Sequence, residues 1–234
     1  EHGFSSIIIC PFFGNEGFPA LDKGFLEPTE KVVREAGGII IADEVQPGFG
    51  RLGTHMWGHQ KSELTPDVVT LGKPMGNGHP VAGVVTSLET MTTFRESFRY
   101  FNTFGGNPVS CAAAMAVLNV MEEEGLMEQA RDVGDYARAG LKELAQRHEA
   151  IGDVRGSGLF FGAEMVLDRN TKEPAIDFTN RVANERRQRG VLLNKLGIHY
   201  NTLKIRPNLQ FTRENADLLL STLDTVLSTV PLHP

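Results

Sequence analysis

Ile39-Ile40-Ile41-Ala42-Asp43-Glu44-Val45-Gln46 and, further along, Leu71-Gly72-Lys73-Pro74-Met75-Gly76-Asn77-Gly78-His79-Pro80 decide how this chain is read. The first segment is an apolar run that ends abruptly in carboxylates. Short, β-branched runs without alternation suit strands buried on both faces of a sheet. Ser6-Ile7-Ile8-Ile9 and Val68-Val69-Thr70-Leu71 have the same character, and Val81 to Thr86 reads as a fourth strand. Gly14 to Pro19 reads as loop. Phe25 to Glu35 has helical spacing, with Phe25, Val32, Val33 and Ala36 on its apolar side and Gly37-Gly38 as its stop. Strands alternating with helices predict an α/β fold with a parallel sheet and helical crossovers. Ligands of such sheets sit at the carboxyl ends of the strands. Asp43 and Lys73 each follow a strand, so both are expected in that zone.

The second half of the chain has a different grammar. Pro108 to Glu123 predicts a long helix with Asn107 as N-cap and Pro108 at the first position. Met127 to Arg147 predicts a second helix. After Gly152, strands are expected at Gly158–Val166, Val191–Asn194 and Leu203–Ile205, with a helix over Phe178–Gln188. Thr212 caps a final helix reaching Val230. This is a smaller α+β unit. The boundary is placed near Gly125, giving a domain at 1–125 and another at 126–234.

Composition removes several function classes. Hydrophobic content of 41% and charged content of 22% are those of an ordinary globular protein. The formal charge is 23 − 29 = −6, and no Lys/Arg run makes a basic patch for nucleic acid or an anionic membrane. Arg186-Arg187-Gln188-Arg189 is expected at the solvated end of a helix. No apolar stretch reaches the roughly 18 residues of a membrane span, and no secretory signal is visible. Two cysteines, Cys10 and Cys111, suit a reduced compartment and a cytoplasmic location. The chain opens at Glu1 without Met and runs almost directly into a strand, as if cut from a larger protein.

An acid at the end of a buried strand and a lysine in a tight loop are what pyridoxal 5'-phosphate (PLP) chemistry needs. The cofactor requires an amine to hold it as a Schiff base and an anion to keep its ring nitrogen protonated. A Schiff-base lysine must be neutral to attack an aldehyde. Partial burial of Lys73 is expected to favour that form, and Pro74 biases Lys73 toward an extended backbone. Glu44 is expected to be structural.

The wording of both segments resembles the class III (subgroup II) PLP-dependent aminotransferases. The resemblance continues in Asn102-Thr103-Phe104-Gly105-Gly106-Asn107-Pro108 and in Leu203-Lys204-Ile205-Arg206-Pro207-Asn208-Leu209. It covers nearly the whole chain but only the second half of a usual family member. It implies a fold-type I transferase, comprising the later part of the large PLP-binding domain and the small C-terminal domain. It implies that Asp43 protonates the pyridine nitrogen, Val45 packs on the ring, Gln46 bonds the phenolic oxygen and Lys73 carries the cofactor. Thr103 then reaches the phosphate of PLP in the neighbouring subunit, which implies a homodimer with shared sites. The family's Gly/Ser-rich phosphate loop belongs to the first half, so the 234 residues alone are expected to be inactive.

Many family aminotransferases have arginine where Lys204 stands, to grip the substrate carboxylate with two parallel hydrogen bonds, which lysine cannot do. Arg206 lies two positions along and faces the same side of a strand. Lys204 and Arg206 are therefore the expected substrate-binding cations. The activity implied is transfer of an amino group between an amine or amino acid and a keto acid or aldehyde. Relatives with lysine here resemble phospho-lyases that eliminate phosphate from phosphorylated amino alcohols. From another class, a nucleotide-binding domain or a non-catalytic half-chain remains open. Gly48-x-Gly50-x-x-Gly53 matches the dinucleotide fingerprint formally, yet no helical pattern starts at Gly53. His55 and His59 lack the spacing partners of a zinc site, and no metal is expected.

Overall fold

The computed structural model describes residues 3–233. They divide into two compact units. The first runs through Phe12 and includes Leu21–Gly50 and His55–Leu126. The second takes Phe13–Ala20, Arg51–Thr54 and the chain from Met127 onward.

The first unit is a four-stranded sheet in the order β1 (Ser6–Ile9), β2 (Ile39–Asp43), β3 (Val68–Leu71), β4 (Gly83–Thr86). β1, β2 and β3 run parallel, whereas β4 is antiparallel to β3. The expectation of an all-parallel sheet is thus corrected at its edge. Only the 3-10 turn Lys73–Gly76 and a short loop separate β3 from β4, and a parallel return needs a crossover of a dozen or more residues. Helix α1 spans Glu27–Glu35, two residues shorter at its start than its apolar spacing suggested. Of the four residues placed on its buried side, only Val33 is buried, and Phe25 and Val32 are exposed. The four-residue α2 (Gly58–Lys61), then α3 (Leu88–Ser97) and α4 (Pro108–Glu123), complete the unit. Asn107 caps α4, accepting the Ser110 N–H at 3.0 Å.

The second unit begins along α5 (Leu126–Arg147). Its sheet orders β5 (Ile151–Ser157), β6 (Phe160–Asp168), β9 (Thr202–Ile205) and β8 (Asn194–Leu196), with β7 (Glu173–Pro174) on β6. The remaining helices are α6 (Ile176–Gln188) and α7 (Arg213–Thr229), the latter capped by Thr212. Leu141, Ile151, Phe161, Met165, Leu203 and Leu223 belong to one closed core with almost no exposure. Arg186 is a correction. It is fully buried rather than solvated, because its guanidinium bonds the Val191 and Leu193 carbonyls at 3.0 and 2.6 Å and so fastens the end of α6 to the chain that follows. Burial lowers its pKa to about 10.

Candidate active site

The parallel pairing of β2 with β3 sets Asp43 opposite Thr70. Asp43 ends one strand and Lys73 lies two residues beyond the other, so both stand at the same carboxyl edge of the sheet. The Glu44 N–H donates to the Thr70 carbonyl at 3.0 Å, carrying the pairing one residue past the strand. Asp43 is partly buried. Its Oδ1 accepts the Val45 N–H at 3.0 Å, while Oδ2 has no hydrogen bond among the described residues. That turn folds Val45 back over the sheet edge. A Cβ added to Gly72 would meet the Val45 methyls at 3.7 Å, so Val45 and the backbone just before Lys73 are neighbours.

Lys73 departs from expectation in two ways. It is exposed rather than partly buried. Its φ of +35° is left-handed, not extended. This backbone belongs to a 3-10 turn directly off the strand, in which Met75 N–H bonds the Gly72 carbonyl at 3.0 Å and Asn77 N–H bonds the Pro74 carbonyl at 3.1 Å. A non-glycine residue at such a φ costs about 1–3 kcal/mol and persists only where its surroundings dictate it; such strain clusters at functional sites. The Lys73 ammonium has no ion-pair or hydrogen-bond partner among the described residues.

Glu44 is structural, and strongly so. It is fully buried and its two oxygens accept the Gly58 and His59 N–H groups at 2.8 and 2.7 Å. His59 Nδ1 lies 2.8 Å from the same carboxylate. The loop carrying Val45 and Gln46 is thereby tied to the start of α2. A buried carboxylate needs such partners. His59 is therefore occupied by an acid.

Thr103 is exposed, in a turn organised by Asn102, whose Oδ1 accepts the Phe104 and Gly105 N–H groups at 3.1 and 2.9 Å. One contact that sequence reasoning missed connects this region to the lysine turn. His79 Nε2 lies 2.8 Å from Ser110 Oγ, across a separation of 31 residues. No local pattern signals a pair so distant.

In the second unit, Lys204 and Arg206 line one cavity of about 630 Å³ with Leu193, Asn194, Phe211 and Leu218. No acidic residue lines it. Lys204 Nζ lies 5.4 Å from the Phe160 ring centroid. Arg51 is held between the Leu159 and Pro207 carbonyls at 3.2 and 2.7 Å. Burial, with repulsion from Arg206, lowers its pKa to about 10. Gly53, the last glycine of the formal dinucleotide fingerprint, opens no helix; a Cβ there would meet the Arg131 backbone at 2.6 Å.

The donor set of the first unit suits PLP. An amine and a carboxylate oxygen that have no partner among the described residues stand at one sheet edge with a branched apolar side chain.

Comparison with known proteins agrees with this chemistry. The family model for class-III aminotransferases matches residues 2–227. A Drosophila melanogaster alanine–glyoxylate aminotransferase 2-like protein is 48% identical, over 84% of this chain and 40% of its own length. A mitochondrial alanine–glyoxylate aminotransferase 2 homologue of Arabidopsis thaliana is 44% identical, over 92% of this chain and 45% of its own. Among solved structures, a phospholyase from Arthrobacter in complex with phosphoethanolamine superposes with a TM-score of 0.94 at 46% identity, covering 98% of this chain and 55% of that one. The chain thus spans less than half the length of the curated relatives it matches. With its fold-type I arrangement and a family match over nearly its whole length, the chain belongs to the class-III aminotransferases.

Proposed function

We propose that the full-length protein is a PLP-dependent aminotransferase, moving an amino group between an amine or amino acid and a keto acid or aldehyde. The observation that carries this reading is the unpartnered Lys73 amine at the same sheet edge as the open oxygen of Asp43. When bound, PLP supplies an electron sink for bond breaking at the substrate carbon. Asp43 holds the proton on the ring nitrogen. Lys73 holds the cofactor covalently and, once displaced, moves a proton to and from the substrate carbon as general base and acid. Val45 packs on the ring and Gln46 donates to its phenolic oxygen. Residues 1–125 are the later part of the large cofactor-binding domain and 126–234 the small domain.

Thr103 serves the phosphate of a partner subunit in a homodimer. Its exposure in a turn beside Phe101 and Phe104, which are 86% and 79% exposed, supports that reading. Lys204 and Arg206 hold the substrate's anionic group. We place the protein in the cytoplasm on its reduced cysteines, with the mitochondrion as the alternative that its Arabidopsis relative's name supplies. Among the described residues no helix is long and apolar enough to cross a membrane.

A second reading is favoured by one observation. Lys204 stands where a bidentate carboxylate grip needs arginine, and its cavity gathers positive charge without an acid. A lysine point charge beside the forked guanidinium of Arg206 can grip the several oxygens of a phosphate, whereas Lys204 cannot clamp a planar carboxylate in the bidentate way. The protein would then eliminate phosphate from a phosphorylated amino alcohol, and the phospholyase likeness supports this.

Borohydride reduction of the PLP-loaded full-length protein tests the main reading. Cofactor should be trapped on Lys73, and Lys73→Ala should trap none. Trapping that survives the substitution would refute the assignment. Release of a keto acid from an amino donor supports transamination, and release of inorganic phosphate supports the second reading.

A further inference from the structure

His79 follows the lysine turn directly: its N–H donates to the Gly76 carbonyl at 2.9 Å. Its ring reaches out of that turn to Ser110, on the first turn of α4, at 2.8 Å. Ser110 is only 8% exposed. The same hydroxyl receives the Asn107 side-chain amide at 2.9 Å, and that amide also bonds the Phe104 carbonyl at 2.8 Å. The amide nitrogen can only donate, and the Ser110 hydroxyl, with one proton and two lone pairs, meets the His79 imidazole in either of its tautomers. A continuous chain of hydrogen bonds therefore runs from the lysine turn through His79, Ser110 and Asn107 to Phe104, the residue after Thr103. The turn also packs directly against α4.

The left-handed backbone at Lys73 gives this chain a task. Proline at the next position disfavours most alternatives to an extended backbone, yet φ at Lys73 is +35°. Something must hold the strained conformation, and local turn bonds reach only residues 72 to 79. The His79–Ser110 bond is a side-chain link from that turn to a long helix.

We propose that His79 is a positioning residue which, through Ser110 and Asn107, holds the turn carrying Lys73 in register with the segment carrying Thr103. The amine site and the phosphate site of one chain are then set by a single network. This rests on the PLP reading for its consequence but not for its mechanics.

The test uses the full-length protein, PLP-free and PLP-loaded, with His79→Ala, His79→Gln, Ser110→Ala and the His79→Ala/Ser110→Ala pair. Removing one partner of a part-buried hydrogen bond leaves the other poorly satisfied. PLP affinity, read by absorbance titration, should weaken by roughly tenfold in His79→Ala. In the PLP-free protein, hydrogen exchange at the Ser110 and Cys111 amides, which bond to Asn107, should quicken by a similar factor. His79→Gln keeps an acceptor within reach and should recover much of both. The double variant should be no worse than either single variant.

Exchange and affinity both within twofold of the parent in His79→Ala would overturn the proposal, as would fully additive losses in the double variant. A general loss of stability would lower the melting temperature without selective exchange at Ser110 and Cys111, and counts against it. Should His79→Ala not fold, Ser110→Ala removes only a hydroxyl and tests the same link. If the parent protein fails to bind PLP, the functional reading falls while the exchange result still decides the network.

Discussion

The two units bury themselves to different degrees. The second closes a core in which Leu141, Phe161, Met165 and Leu203 have essentially no exposure. The first buries Ile40 and Ala42 but leaves Ile8, Val84, Val85, Leu88 and Phe98 more than half exposed. Asp43, Val45, Gln46, Lys73 and Thr103 all belong to the first. On the proposed function, reaction chemistry falls to the unit that satisfies its own apolar surface less well. On the same proposal the well-packed unit contributes Lys204 and Arg206 to anchor an anionic group, a task that depends on a rigid scaffold more than on exact placement of a reacting atom.

The largest effect that can break this contrast is at Asp43. Asp43→Asn keeps the shape and the bond from the Val45 N–H but removes the charge. Turnover of the full-length enzyme should fall by about 10²–10³ or more, the scale of losing one preorganised electrostatic contact in a reacting site. Thermal stability should change little. Steady-state kinetics beside a melting curve separates the two. Near-normal turnover would remove Asp43 from the mechanism and with it the division of labour.

Next is a change in the second unit that should act on stability and leave chemistry alone. Gly134 sits in α5 where an added Cβ would lie 2.1 Å from the Gly158 carbonyl oxygen. Backbone cannot yield as a side-chain tip can. Gly134→Ala should cost about 3 kcal/mol through overpacking, despite alanine's better helix propensity. Denaturant titration reads the loss. A neutral or stabilising result would show that this unit is less tightly closed than its packing indicates.

How far the sequence foretold this contrast depends on how local each feature is. The strands Ser6–Ile9 and Val68–Leu71 match their apolar runs, and α4 and α7 begin at the caps that Asn107 and Thr212 announce. Asp43 and Lys73 are legible because each follows such a strand. β5 was missed: Ile-Gly-Asp-Val-Arg-Gly-Ser has two glycines and a register shift between Ile151 and Asp153, so alternation is broken. α3 was also missed, since its apolar residues face no core and leave no periodic signature, although Ser87 caps it by accepting the Thr90 N–H at 3.1 Å. The left-handed Lys73 runs against the bias of the proline that follows it, Arg186 is buried by carbonyls five and seven residues further on, and the His79–Ser110 pair spans 31 residues, and local sequence holds no pattern for any of them.

A smaller effect tests what the exposed aromatics do. If the first unit's surface is a dimer interface, Phe101→Ser should leave the fold intact, because Phe101 is 86% exposed. It should weaken self-association by about tenfold or more, as loss of a central aromatic anchor does. Sedimentation across a concentration series measures this. Mixing Lys73→Ala with Thr103→Ala chains should restore activity above either parent variant, since one site of the heterodimer carries neither lesion. Unchanged self-association together with no restoration would dismiss the shared site.

The smallest effect belongs to the second unit's surface. Asp224 accepts from His148 Nε2 at 2.6 Å and from Arg147 at 2.9 Å. The His148 hydrogen bond, chiefly, holds its carboxyl below the usual carboxylate range, with the Arg147 charge adding to it. A depressed folded-state pKa contributes stability that is complete above the unfolded value, about 3.9 for aspartate, and is lost as pH falls through the lower folded value. The side chain is 38% exposed, so solvent screens most of the gain. Asp224→Asn should therefore cost on the order of 0.5 kcal/mol at neutral pH, within the range for exposed ion pairs. The difference from the parent should begin to shrink below about pH 4, where the carboxylate of the unfolded chain protonates, and go on shrinking as pH falls toward the lower folded value. Urea titrations of both proteins at pH 7 and at pH 3.5 read this directly. A penalty that stays constant on acidification would mean that Asp224 acts through packing and hydrogen bonding alone, not through its charge.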